Sequence, residues 1–337
     1  MNAVRTILAV GLLAVAGRAV ELKHDFYLCV TLSGQGQVMG TAKKTAASGL
    51  YRSSDRTNFE HLGFTHIRVF SATHDIQDPD TLFLSMLDGV VRAQERGATW
   101  RTMTSWDMTE PKGIAFDPGA PGHMFVALPD GIAFSPDRGE TWQRRQEGIK
   151  RRYTHPIVVD RTKTGRVLAG TELGLYVSDD EARTWKLVLP TQKTVYDIKQ
   201  SPHDPKVFLA VTSSDGAFRS GDGGRTWQPI AGIPKDHTLH NCEFDRSDPQ
   251  RILITGWGLG IKLSEDGGKT WVDRSEGLPG RDVWRAVLDP DIPGRMYTAT
   301  HLKPLQVSDD YGKSWRPLAF EQVMAFDMVF VPRKAKQ

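Results

Sequence analysis

The sequence predicts an all-β protein built from repeated four-stranded antiparallel units, on three observations. An eight-residue pattern, S-x-D-x-G-x-S/T-W, recurs along the chain. Its closing tryptophans, Trp100, Trp142, Trp185, Trp227, Trp271 and Trp315, stand 42 to 44 residues apart. Between copies, short apolar runs are separated by turns rich in Gly, Pro and Asp, the signature of short antiparallel strands. A fixed period of this length marks a repeat architecture, and four strands in about 43 residues make one blade of a β-propeller. A degenerate further copy, SSDRTNF from Ser53 to Phe59, brings the expected count to seven blades.

Each element of the repeat has a physical reason. The unit that closes at Trp227 reads VYDIKQ, SPHDPK, VFLAVT, SSDG and AFRS before its box SGDGGRTW: strand, turn, strand, turn, strand, hairpin. The copies SPDRGETW (135–142), SDDEARTW (178–185), SEDGGKTW (264–271) and SDDYGKSW (308–315) keep the pattern, with Ala182 in place of Gly, and AQERGATW (93–100) has Glu95 in place of Asp. A short carboxylate in such a turn accepts bonds from nearby backbone N–H groups, Gly supplies backbone freedom, and Trp buries a large ring between sheets. Asp137, Asp180, Asp222, Asp266 and Asp310 are therefore expected to be structural. Calcium sites or paired catalytic acids are the alternative reading, but the turn is repeated in every unit rather than concentrated at one place.

These boxes resemble the Asp-box (BNR-repeat) propellers, the superfamily of sialidases, sortilin-type receptors, xyloglucan-hydrolysing tandem propellers and the photosystem II assembly propeller. The resemblance covers about residues 24–331. It implies that each box lies on the hairpin between the third and fourth strands, at the outer, lower edge of a blade, with ligands on the opposite face. Ring closure requires an innermost strand for the first blade, and both DFYLCVTL (25–32) and AFDMVFVP (325–332) are candidates. The C-terminal segment is the favoured one.

Composition narrows the classes. Charged residues are 25% and the formal charge is +3, which falls by two if Arg5 and Arg18 leave with a processed leader. With no block of Lys or Arg, the footprint of nucleic-acid binding is missing. Residues 1–20 carry one early cation, an apolar run from Ile7 to Ala16 and small residues at Ala14-Val15-Ala16 and Gly17-Arg18-Ala19. They read as a signal peptide, too short to span a bilayer, with a buried first strand as the alternative. The expected organisation is a signal peptide (1–20), a propeller (21–332) and a short tail (333–337) in a periplasmic or secreted monomer without an integral span. Cys29 and Cys242 fall in different units and are expected to be free. No cofactor is expected.

Aligned on their closing turns, the innermost runs THIRVF, PKGIAF, HPIVVD, YDIKQS, HNCEFD, WRAVLD and FDMVFV put His66, Lys112, His155, Tyr196, His240, Trp284 and Phe326 at one equivalent position. The next position holds Ile67, Gly113, Pro156, Asp197, Asn241, Arg285 and Asp327. Unpaired burial of the charged ones would cost several kcal/mol each, so they are expected to face water, one another or a ligand. A self-satisfied polar channel is the plainer reading. Three tryptophans, Trp106, Trp257 and Trp284, lie outside the boxes. With His240, Asn241, Arg285, His301 and Lys303, Trp257 and Trp284 form the richest aromatic and hydrogen-bonding group on neighbouring units, suited to a carbohydrate, peptide or protein ligand. His66, His155 and His240 are the candidates for a three-histidine metal site, although a channel histidine bonded to water is commoner.

A glycoside hydrolase would need two carboxyl groups about the scissile bond. Asp197, Asp327 and Glu172 are the candidates, with Asp130 in a loop. The sialidase-type arginine cluster and Arg-Ile-Pro motif have no counterpart, the nearest text being His66-Ile67-Arg68-Val69. Tandem-propeller xyloglucanases work across a cleft between two propellers, and this chain has one. The sequence therefore favours a non-catalytic, exported binding propeller, with a glycoside hydrolase as the alternative.

Overall fold

Runs in which nearly every residue is apolar or small, such as Leu82–Met86 and Phe208–Thr212, are buried on both faces and form the middle strands of sheets stacked against one another. A computed structural model describes residues 20–32, 48–65, 68–150 and 152–334. Residues 1–19 of the expected signal segment, Ser33 to Ala47, His66 with Ile67, Arg151 and residues 335–337 of the expected tail lie outside the described residues.

The strands follow the repeat. The first three are β1 (His24–Leu32), β2 (Gly49–Ser53) and β3 (Glu60–Leu62). The next sheet holds β4 (Val69–His74), β5 (Leu82–Met86), β6 (Gly89–Gln94) and β7 (Thr99–Thr102). It is followed by β8 (Gly113–Asp117), β9 (Ala120–Leu128), β10 (Gly131–Ser135) and β11 (Gln143–Arg144), then by β12 (Thr154–Val159), β13 (Val167–Thr171), β14 (Gly174–Ser178) and β15 (Lys186–Leu189). Two further sheets comprise β16 (Val195–Gln200), β17 (Phe208–Thr212), β18 (Ala217–Ser220) and β19 (Gln228–Pro229), and β20 (Leu239–Phe244), β21 (Ile252–Gly256), β22 (Gly260–Ser264) and β23 (Val272–Asp273). The chain ends with β24 (Val283–Leu288), β25 (Met296–Thr300), β26 (Lys303–Ser308) and the 17-residue β27 (Arg316–Pro332).

Among the described residues there are five four-stranded antiparallel sheets and one seven-stranded sheet, ordered β24-β25-β26-β27-β1-β2-β3. This all-β arrangement is a β-propeller. No helix among the described residues is long and apolar enough to cross a membrane. The long strand β27 pairs with β26 through its first residues and with β1 from Val323 to Pro332, so His24 stands opposite Pro332. The C-terminal segment is thus innermost and DFYLCVTL is the second strand, as expected of the two candidates.

Closure is held by buried charge as well as by pairing. Arg56, 2% exposed, donates from Nε to Asp289 Oδ2 at 2.7 Å, from one terminal nitrogen to Asp291 at 3.0 Å and from the other to the His24 carbonyl at 2.9 Å. The backbone N–H groups of Lys23 and His24 donate to Asp291 as well.

The boxes build one turn five times over. In each, the serine hydroxyl donates to the aspartate and accepts the N–H four residues on, as Ser220 does with Asp222 and Gly224 at 2.8 and 2.9 Å. The same carboxylate then takes the Thr226 hydroxyl and N–H at 2.7 and 2.9 Å. Consecutive residues sit at positive φ, Gly223 at 78° and Gly224 at 80°, and Glu181 and Ala182 adopt the same conformation at 59° and 67°. The degenerate copy keeps the device, with Asp55 accepting the N–H groups of Thr57 and Asn58. Cys29 and Cys242 are buried free thiols.

Candidate functional site

The innermost strands surround a cavity of about 510 Å³. What aims side chains into its mouth is a shared irregularity. The pairing register slips between Val69 and Ser71, Thr154 and Ile157, Val195 and Asp197, Leu239 and Asn241, Val283 and Arg285, and beside Phe326 on β27. A bulge bends its strand and re-aims the extra residue. The residues at these bulges, with Lys112 just ahead of β8, form a collar at the end of the sheets opposite the boxes.

The collar is nearly continuous. Phe70 meets Phe326 edge-on at 5.6 Å, Phe326 meets Trp284 at 6.4 Å, and Trp284 stacks on His240 at 4.5 Å. Tyr196 then separates His240 from His155, at 5.1 and 5.0 Å. Lys112 closes the circle with its ammonium 4.0 Å from the Phe70 ring centre. One expected member is corrected here. The innermost strand of the second unit is Val69–His74, not the run THIRVF, and Phe70 occupies the position assigned to His66. His66 itself lies outside the described residues. Among the described residues no three His, Cys, Asp or Glu side chains converge on a metal position, and the Tyr196 ring stands between His155 and His240. Burial, with Lys112 nearby, brings His155 down to about 4. Burial, with Arg285 nearby, does the same to His240. Both imidazoles are neutral at pH 7.

One residue beyond each bulge, the polar side chains bind sideways. Asp197 accepts the N–H of Cys242 on the next strand at 3.2 Å, Asn241 accepts that of Ala286 at 2.9 Å, and Asp327 accepts that of Ala72 at 3.3 Å. The three contacts are equivalent, each reaching the second residue after the neighbour's bulge. Asn241 is fully buried between strands. Arg285 lies between Asp197 at 3.8 Å and Asp327 at 3.6 Å and donates to the Phe326 carbonyl. Glu172 is half-buried in the β13–β14 turn, and Asp130 is paired with Arg144 at 2.8 Å.

The sequence-nominated tryptophans lie together at the collar. Trp257, 39% exposed, packs edge-on against Trp284 at 5.6 Å and against His301 at 5.1 Å, while Trp284 Nε1 donates to His301 Nδ1 at 3.1 Å. That bond makes Nδ1 of His301 the acceptor and leaves Nε2 as its N–H. Lys303 is exposed at the start of β26. Trp106 stands apart, 89% exposed on the loop ahead of β8.

Two channel residues were missed. Lys199 lies 4.0 Å from both Asp197 and Glu243. The Asp197 carboxylate holds the Lys199 ammonium up, and burial raises the Glu243 carboxyl. Both stand two residues beyond Asp197 and Asn241, and a period of two puts them on the same strand face.

No protein-family model and no curated protein matches the chain. Among solved structures it is similar to the GH74 xyloglucanase from Xanthomonas campestris, at 17% identity and TM-score 0.63 over 74% of this chain and 45% of that one. It is similar to YCF48 from Cyanidioschyzon merolae at 16% identity and TM-score 0.62, over 81% and 98% of the two chains. YCF48 bound to D1 peptide matches at 18% identity and TM-score 0.57, over 74% and 81%. The chain spans less than half the length of the xyloglucanase. At these identities the likeness is one of fold.

Proposed function

We propose that this chain is an exported, monomeric, seven-bladed Asp-box propeller, spanning residues 21–332, that binds a glycan, peptide or protein on its collar face without turning it over. The observation that carries the reading is the block of His240, Trp257, Trp284 and His301 at the collar rim, where flat rings lie beside imidazole and guanidinium groups. Arg285 and Lys303 complete the proposed contact set. The blade count is supported by β27, whose two halves divide the seven-stranded sheet into a last blade with β24–β26 and a first blade with β1–β3. Export is supported by the leader-like composition of residues 1–20.

Binding is favoured over hydrolysis by the state of the carboxylates. Asp197 and Asp327 each accept two backbone N–H groups and flank Arg285, which suits holding strands together better than exchanging protons with a substrate. Solved proteins of this fold include both a xyloglucanase and a protein bound to a peptide, so either ligand class is compatible with the scaffold.

Glycan and peptide arrays, run beside hydrolysis assays on aryl-glycosides and polysaccharides, test the reading. Array binding is expected to fall about tenfold or more in Trp257→Ala and Trp284→Ala while the fold is retained. Turnover of a glycoside that disappears in Asp197→Asn would overturn it.

A further inference from the structure

Below the collar, five of the channel's charged groups stand in alternating order, Asp327, Arg285, Asp197, Lys199 and Glu243, and Arg246 lines the same cavity. The successive approaches of the five are 3.6, 3.8, 4.0 and 4.0 Å. None of these is short enough to be a hydrogen bond. Elsewhere Arg251 and Asp245, about as enclosed as Arg285 and its carboxylates, close fully at 2.7 Å. The channel charges are therefore held apart. Asp197 and Asp327 cannot swing inward to their cations because each is tied to the backbone of a neighbouring strand. Arg285, on β24, reaches toward Asp327 on the neighbouring β27 and, past β20, toward Asp197 on β16.

We propose that this part of the channel is a second site, which binds a small zwitterion: a free α-amino acid with an apolar side chain. Its carboxylate lies beside Lys199, its ammonium beside Glu243, and its side chain against the collar rings.

The chemistry selects that class. With Arg246 beside Glu243 and Lys112 at the collar lining the same cavity, carboxylates and cations are interspersed, so a ligand carrying one charge of either sign meets groups of its own sign beside its partners, and like charges in an enclosed site cost affinity. A zwitterion meets a complement at both ends. The array is also preorganised, since backbone bonds already fix two of its carboxylates. Val158, Val287 and Val329 give the same cavity apolar surface, beside the polar Ser71 and Thr73 and the cations Lys112 and Arg246. Its volume of about 510 Å³ is in the range of small-molecule sites.

Calorimetric titration of the intact protein tests this directly. L-phenylalanine and L-leucine carry both charges, phenethylamine keeps only the ammonium, and 3-phenylpropanoate keeps only the carboxylate. At least one amino acid is expected to bind about tenfold or more tightly than both single-charge analogues. Lys199→Met and Glu243→Gln are each expected to weaken that binding by about tenfold or more. Trp257, outside this cavity, is expected to be dispensable for it, so Trp257→Ala separates the two sites. No heat with either amino acid, equal affinity for a single-charge analogue, or binding of a neutral xylo-oligosaccharide alone would each overturn the proposal. So would retained affinity in both channel variants. The wild-type titrations decide the matter even if a variant fails to fold.

Discussion

Replacing Arg56 by Met should loosen the closure of the propeller. The guanidinium is almost wholly buried and reaches Asp289, Asp291 and the His24 carbonyl, joining the turn after β24 to the chain entering β1. Both carboxylate side chains are at most 3% exposed. Removing one partner of a buried ion pair strands the other and costs about 3–5 kcal/mol. Here Asp291 keeps the N–H groups of Lys23 and His24, and Asp289 keeps the Tyr297 hydroxyl, which points to the lower end, about 3 kcal/mol. Met is the informative replacement because position 56 has φ of 70°, equally unfavourable for Arg and Met, so backbone strain cancels. The control is Arg101→Ala. Its pair with Glu140 is 60% and 42% exposed and should be worth less than about 1 kcal/mol. Urea unfolding followed by far-ultraviolet dichroism gives both values. If Arg56→Met costs no more than Arg101→Ala, the buried network does not hold the closure, and strand pairing alone does.

The boxes make further predictions. Asp222→Ala should cost about 1–3 kcal/mol in unfolding free energy and leave any ligand affinity unchanged, because its carboxylate serves only its own turn. Gly224→Ala should lower the melting temperature, since φ is +80° and the new Cβ would lie 2.5 Å from Leu168 Cδ2. Asp310 is held down to about 2, first by the Ser314 hydroxyl. A folded value below the unfolded one means that its stabilisation is present above about pH 4 and is lost as pH falls toward 2. The acid limb of a melting-temperature profile should therefore be shallower in Asp310→Asn. Mass spectrometry of the exported protein should find a mature N-terminus near Gly17 or Val20, and Met1 retained on cytoplasmic protein would contradict it.

The repeat was legible because its information is local: Ser220, Asp222, Gly224, Thr226 and Trp227 interact with one another inside eight residues. Strand register was less so. Val69-Phe70 belongs both to THIRVF and to VFSATH, both of which precede the same Asp-Pro turn, and alternation does not distinguish a slip of an even number of residues. The bulges that fix the collar have no composition of their own, so Phe70 was hidden while Tyr196, His240 and Trp284 were found. Asp197, Asn241 and Asp327 looked like ligand groups because sequence reveals polarity but not partners. Their partners are backbone N–H groups of another unit, more than forty residues away. Lys199 and Glu243 were overlooked for the opposite reason, since a lysine and a glutamate in a strand read as an ordinary solvated face.

The pairing of β1 with β27 has a consequence for how the chain is made. His24 finds its partner in Pro332, so β1 waits for a strand about 300 residues further along the chain. At ordinary rates of translation that delay is on the order of tens of seconds. Throughout it, β1, with Phe26, Leu28 and Val30 destined for complete burial, has an open edge along its full length. The young propeller is therefore most exposed to wrong partners along β1, where a holding chaperone would have the most to protect.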